Sequence, residues 1–326
     1  MKLSRRAVLS AALASAVAPT SAFADPPSVR VGILKFGTAS WELDTIRRNG
    51  FDRASGIDIR PSEFAVSQAS QVALQAGSVD MVLLDWLWVA RQRADGADWT
   101  FAPYSSAVGA LVAPANSPVQ NVRDLAGARL GVAGSPLDKS WLILQAYTRR
   151  VLDFNVAETA KTSFGAPPLL TEQLKAGQLD AILTFWPYAA KAEAAGMRRI
   201  LGVEDAVRAL GIEAAIPFVG YVFSSAWAKA NAAAVQAFFT ATRSAQTLLE
   251  QSDDEWRTLM PLTGAANAAE LDRLKHAYRR GIVRQWGDAE RAAVEKLYGI
   301  LADIGGAALV GLVTSVPPGT FWPTAL

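Results

Sequence analysis

The chain has no cysteine, and histidine occurs once, at His276. The first absence removes disulfides, thiolate metal sites, thiol nucleophiles and the acylated cysteine of a lipoprotein. With a single histidine, the usual zinc ligand sets and the Ser-His or Cys-His pairs of nucleophilic catalysis cannot be assembled. His276 stands in a helical pattern among Lys275, Arg279 and Arg280 and reads as a surface residue. Also missing are a Walker loop, a G-x-S-x-G elbow, a G-x-G-x-x-G turn after a strand and a D-x-D-x-D-G loop. There is no basic tract to suggest nucleic acid, since 32 basic and 30 acidic residues are well mixed and leave a net charge of +2. Carboxylate-only catalysis survives these exclusions. Its tempting pair, Asp80 and Asp180, falls at strand starts, however, and reads as turn or cap chemistry.

What is present begins with Lys2, Arg5 and Arg6 ahead of an apolar run from Ala7 to Ala18, then Pro19 and the small-residue site Ala22-Phe23-Ala24. This is the pattern of a signal peptide over residues 1–24, cleaved near Ala24. Arg5-Arg6 also fits a twin-arginine signal, with Val8 where that pattern prefers Phe. The run is too short for a bilayer of about 30 Å, and no later stretch reaches the length a span needs. The expectation is an exported, soluble protein without a membrane anchor. The remaining length, 51% hydrophobic over the whole chain, suggests two domains.

An internal repeat gives the plan. The segment from Leu74 to Trp86 recurs a hundred positions later from Leu174 to Trp186, with identities at Leu74, Ala76, Gly77, Asp80, Leu83 and Trp86, continuing to Ala90, Ala94 and Gly96. Each copy reads as a helix closed by a glycine, then an aspartate, a short apolar strand, an aromatic turn and another helix. Upstream, Arg30-Val31-Gly32-Ile33 and Arg129-Leu130-Gly131-Val132 read as matching strands, each leading to a helix start that carries Trp41 or Trp141. Two similar α/β lobes with mixed, mainly parallel sheets follow, and such sheets bind ligands beyond the carboxyl ends of their strands.

These units, the opening strand and loop through Ser40-Trp41, the segment Gly109 to Pro118 and its continuation Val122 to Val132 with Gly134-Ser135 resemble the periplasmic binding proteins of the nitrate, sulfonate and taurine importer group. The resemblance implies a type II periplasmic-binding fold with a hinge of two crossings. It places lobe I at residues 25–108 and 217–326 and lobe II at 109–216, with the helical tail packed mainly on lobe I. It implies a monomer that binds a small solute and serves a membrane permease and ATPase, with no cofactor and no catalysis. A sulfonate, taurine or nitrate-like anion or zwitterion is the expected ligand. The alternatives are a flat heteroaromatic such as a thiamine-precursor pyrimidine and, in another class, an exported carboxylate-dependent enzyme or a sensor.

Loops that follow strands supply the candidate ligand residues. Thr38, Ser40 and Trp41 open a helix whose free N–H groups suit an anion, or else Thr38 or Ser40 simply caps it and Trp41 packs inward. Ser135 and Lys139 stand at the matching turn of the second lobe, where the resemblance favours a hydroxyl. Asp85 with Trp86, and Trp186 with Tyr188, put aromatic groups at equivalent points of the two lobes. They would clamp an apolar or cationic part of the ligand, with Asp85 pairing its charge, unless the tryptophans are core. Ser67 and Gln68 precede the helix that ends at Gly77, and Tyr221 follows the return crossing.

Overall fold

The computed structural model describes residues 26–35, 37–311 and 313–323. The expected signal peptide lies outside them. The first half of the chain forms β1 (Ser28–Leu34), α1 (Ala39–Asn49), α2 (Phe51–Ala54), β2 (Asp58–Phe64), α3 (Ser67–Gln75), β3 (Met81–Leu84), α4 (Trp86–Ala94) and β4 (Trp99–Ser105). Next come β5 (Gly109–Ala113), β6 (Arg129–Ala133), α5 (Lys139–Arg150), α6 (Val156–Thr159), β7 (Lys161–Gly165), α7 (Pro167–Lys175), β8 (Ala181–Phe185), α8 (Trp186–Ala194), β9 (Arg198–Gly202) and α9 (Val203–Ala209). The chain closes with β10 (Val219–Ser224), α10 (Ser225–Ala230), α11 (Ala232–Gln251), α12 (Asp253–Thr263), α13 (Ala268–Gly281) and α14 (Asp288–Val310).

The strands make two five-stranded sheets, ordered β2-β1-β3-β10-β4 and β7-β6-β8-β5-β9. In each, the first three strands run parallel, and one inserted strand, β10 or β5, runs antiparallel to both of its neighbours. Four of the five strands in each sheet therefore point the same way. The chain passes from the first sheet to the second between Ser105 and Gly109 and returns between Gly202 and Val219. The inserted strands are the ones next to these crossings, and each carries a glycine where space demands it. A Cβ on Gly109 would strike the carbonyl oxygen of Thr184, and one on Gly220 that of Ala102.

The repeat is physical. Gly77 and Gly177 end α3 and α7 at φ 68° and 69°, a left-handed conformation that costs glycine little. The aspartates that follow are not turn caps, as the sequence suggested, but partners of the preceding parallel strand. Asp80 accepts from the backbone N–H of Arg30 at 2.8 Å and meets its guanidinium at 2.6 Å, and Asp180 repeats both contacts with Arg129 at 2.8 and 2.6 Å. Each pair clips β1 to β3 or β6 to β8 at the end remote from the junction of the sheets. The Arg129 guanidinium holds the Asp180 carboxyl below its ordinary value.

Helices α10, α11 and α12 pack on elements of the first lobe, α1, α2, β1 and β10, while the last two helices also reach the second. Helix α13 packs along α8, where Lys191 Nζ donates to the carbonyls of Thr263 and Gly264 at 2.9 and 2.8 Å. Helix α14 lies on both α4 and α5, and Lys296 Nζ donates to the Gly211 carbonyl at 2.6 Å. The tail thus bridges the two sheets, because its apolar faces are buried on elements of each. Among the described residues no helix is long and apolar enough to cross a membrane.

Candidate functional site

The carboxyl ends of β1, β3, β6 and β8 each run into a helix, at α1, α4, α5 and α8, and the starts of α1 and α8 meet across the two lobes. The clearest contact is aromatic. Trp186, first residue of α8, meets Trp41 of α1 edge to face with ring centroids 5.8 Å apart, and lies 6.5 Å from Tyr278 of α13. The backbone N–H of Trp186 donates to the Val108 carbonyl in the outgoing crossing at 3.1 Å. Trp41 is itself buried, wedged between Trp186 and Trp256, with a centroid distance of 5.8 Å to the latter. The bulky aromatic residues of both lobes therefore close on each other at the mouth.

Helix α1 starts without a side-chain cap, so neither Thr38 nor Ser40 does the job the sequence left open to them. Ser40 Oγ donates to the Gly37 carbonyl at 3.0 Å and lines a groove of about 410 Å³ built wholly from first-lobe residues, among them Arg47 and Glu63. Ser67 is the first residue of α3, also uncapped, with Gln68 exposed beside it.

Two other helix starts are capped by acids. Asp85 accepts from the Trp88 N–H at 2.9 Å, and Asp138 from the Ser140 N–H at 2.8 Å. Ser135 does not cap α5; its Oγ accepts from Leu137 N–H at 3.3 Å within the turn. Burial raises the Asp138 carboxyl against the pull of Lys139 and the Ser140 N–H, and the charge of Asp85 adds to the rise. Lys139 is half-buried at the first position of α5. Tyr188 is half-buried on α8, and its hydroxyl is raised by that burial.

Trp86 and Trp186, equivalent in sequence, have different surroundings. Trp86 is 1% exposed and sits in the core beneath Tyr298 of α14, ring centroids 6.3 Å apart, whereas Trp186 is half-buried at the mouth. A symmetric clamp of the two indoles is therefore not how the side chains lie. Tyr221 is also inside, 5.3 Å from the ring of Tyr104 and 4.9 Å from that of Phe238. His276 is exposed on α13, its Nε2 3.3 Å from Asp272.

The most unusual group here is Glu42, which sequence reasoning passed over and which is fully buried in the first turns of α1. The Tyr278 hydroxyl donates to Glu42 Oε2 at 3.1 Å. Around it stand Tyr104 from β4, Tyr221 from β10 and Gln246 from α11, whose side chains face the carboxyl. Burial pushes the Glu42 carboxyl up to about 8, against the contrary pull of Tyr278, Gln246, Tyr104 and Tyr221. Burial also raises all three tyrosines, with the nearby Glu42 charge adding to it. A residue-by-residue clue existed only in the neighbourhood of Trp41, since the buried set Trp41, Glu42, Thr45 and Ile46 follows helical spacing.

Residues 47–255, more than half of the chain, match the protein family described as NMT1/THI5 like. The chain belongs to that family. Among solved structures, this NMT1/THI5-like chain is similar to the alkanesulfonate-binding protein SsuA of Xanthomonas axonopodis pv. citri bound to MOPS, at a TM-score of 0.71 and 21% identity, covering 92% of this chain and 99% of that one. It is similar to the periplasmic aliphatic sulphonate binding protein SsuA of Escherichia coli at a TM-score of 0.69 and 19% identity, covering 91% and 98%. The periplasmic nitrate-binding protein NrtA of Synechocystis PCC 6803 aligns at a TM-score of 0.56 and 13% identity, over 72% of this chain and 65% of that one. No curated protein matches the sequence. At these identities the likeness establishes the fold, that of the two-lobed periplasmic binding proteins.

Proposed function

We propose that this NMT1/THI5-like chain is the solute-binding subunit of an ATP-driven importer, exported to the periplasm after cleavage near Ala24, and that it captures a small organic anion or zwitterion of the sulfonate, taurine or nitrate kind. The lobes are residues 25–108 with 217–326, and residues 109–216. The observation that carries the reading is the seating of Trp186 of one lobe on Trp41 of the other, at 5.8 Å, where strand ends of both sheets meet. An anionic group bound at the uncapped start of α1 gains unpaired N–H donors and the helix dipole. Contacts added by the second lobe stabilise the closed form, and only such differential contacts move the equilibrium. Reversal of a 1:99 population takes about 5.5 kcal/mol, within reach of a few buried hydrogen bonds and one stacked ring.

Thr38, Ser67, Gln68, Asp85, Ser135, Lys139, Trp186 and Tyr188 line this junction in the reading. Trp41 and Tyr221 support its floor, and a permease recognises the closed form. The cross-lobe aromatic group also favours a second ligand class, a flat heteroaromatic ring held against Trp186. The protein is a binder and not an enzyme in this reading. Native mass spectrometry of gently purified protein, followed by titration with sulfonates, taurine and nitrate under small-angle scattering, tests it. A bound small molecule that contracts the protein without being converted is the expected result. Turnover of the ligand would assign the chain to an exported enzyme instead, and binding without any contraction would sink the closure mechanism.

A further inference from the structure

Two demands meet in the first turn of α1. An anion bound at the helix start needs the free N–H groups there, and it needs the turn to carry no negative charge of its own. Glu42 stands three positions after Ala39, the first residue of α1, and so about 4.5 Å further along the helix axis. An ionised carboxyl at that distance would itself take up the pull of the helix dipole and repel the ligand. Burial removes the conflict. A carboxyl shut away from water without a counter-ion keeps its proton, and this one keeps it up to about 8.

The groups that face Glu42 are hydroxyls and an amide: Tyr104 of β4, Tyr221 of β10, Tyr278 of α13 and Gln246 of α11. Charged side chains of α1, α11, α12 and α13 pair with one another instead: Arg48 with Asp44 and Glu255, Lys275 and Arg279 with Asp253, and Glu250 with Arg284. Burial and the Glu42 charge raise all three tyrosines well above their ordinary 10, which leaves Glu42 as the member of the cluster that titrates near neutral pH. Tyr104 links the cluster to the helix start. Its buried hydroxyl stands beside both the Glu42 carboxyl and the side chain of Thr38, the residue that precedes α1.

We infer that Glu42 is a positioning residue for anion recognition: through Tyr104 and Thr38 it sets the open start of α1, and its proton decides whether an anion binds there. The role rests on the reading of the chain as a binder of small anions and adds a regulation to that site. A bound anion and an ionised Glu42 oppose each other, so the anion makes the carboxyl hold its proton more tightly. Below about 8 the proton is already in place and affinity has its full value. Above that, binding must first restore the proton. Affinity then falls by up to about tenfold per pH unit, and each anion bound takes up close to one proton.

Calorimetry with ethanesulfonate, whose own charge is fixed across the range, tests this at pH 6, 7, 8 and 9. Affinity should be level from pH 6 to 7 and about tenfold weaker at pH 9 than at pH 7. Repeating the pH 9 titration in two buffers of different ionisation heat reads the proton uptake, which a purely structural role would not produce. Glu42→Gln, which keeps the shape and cannot ionise, should flatten the profile and remove the uptake; the wild-type measurements stand by themselves if that variant misfolds. Tyr104→Phe takes away the hydroxyl between Glu42 and Thr38 and should weaken ethanesulfonate severalfold at pH 7. Equal wild-type affinity at pH 7 and 9, a fall without proton uptake, the same fall in Glu42→Gln, or an affinity untouched by Tyr104→Phe overturns the role of Glu42 and leaves the anion-binding reading standing. If ethanesulfonate, taurine and nitrate all fail to bind at pH 6, that reading falls and the role of Glu42 falls with it.

Discussion

At the scale of single residues, burial decides what each side chain does. Glu42 holds its proton in the fold up to about 8, while in the unfolded chain it loses it near the ordinary 4.5. Between those values the native state binds more protons than the unfolded one, so this residue's contribution to stability is full below pH 4.5 and declines as pH rises toward 8. Melting curves of the wild type and Glu42→Gln should therefore converge or cross as pH rises from 5 to 8, with the wild type losing ground. Parallel curves would show that Glu42 does not titrate in that window. The two tryptophans of the repeat separate by the same logic. Trp86→Ala empties a core site under Tyr298 and should cost about 3–5 kcal/mol of stability in denaturant unfolding. Trp186→Ala, at the mouth, should cost less stability and weaken the bound solute by more than about tenfold. The legible part was that both tryptophans follow short strands; their different surroundings come from α14, which covers one and not the other.

At the scale of elements, the duplicated clip between parallel strands is the feature with consequences. Arg129 and Asp180 join β6 to β8 as Arg30 and Asp80 join β1 to β3. The Asp180 carboxyl lies below its ordinary 3.8, so its stabilising effect is present above that value and is lost as pH falls through the lowered one. Asp180→Asn should lower the melting temperature by a few degrees at pH 7 and by less at pH 3, as differential scanning calorimetry at the two pH values will read. Helix starts divide in a way the sequence half revealed. Asp85 and Asp138 cap α4 and α5, as their residue type favours, while α1 and α3 begin uncapped although serines and a threonine stand there. A hydroxyl caps only from the N-cap position and with its own backbone extended, and Ser67 lies one residue past the cap, which is Val66. Thr38, at the cap of α1, is helical instead, at φ −85° and ψ −7°.

At the scale of the whole molecule, the bridging tail sets how the lobes move. Opening at the α8 side must break the contacts of Lys191 with the Thr263 and Gly264 carbonyls and lift Trp186 from Tyr278. Lys191→Ala removes two charge-assisted bonds and should shift the free protein toward the open form. The measurable result is a larger radius of gyration in small-angle scattering and solute affinity reduced by about three- to tenfold. An unchanged radius together with unchanged affinity would mean that α13 moves with the second lobe and does not restrain it. A tail divided between lobes was not readable from its sequence, since an amphipathic helix announces that it has an apolar face but not which surface covers it.

The sequence by itself determined the repeated α/β plan, because that plan rests on short-range signals: a glycine that can turn left-handed, an aspartate beside it, four or five apolar residues, and a helix after. It also determined the places where strands hand over to helices, and so the loops from which candidate ligand residues were drawn. Only tertiary structure decided which of those residues meet. Glu42 acquires its neighbours from β4, β10, α11 and α13, with Tyr278 as much as 236 positions away, and no local pattern encodes such a meeting. The physical reason is range: backbone preference and hydrophobic periodicity act over one or two turns of chain, whereas the charge state of a buried group depends on whatever the folded chain brings against it.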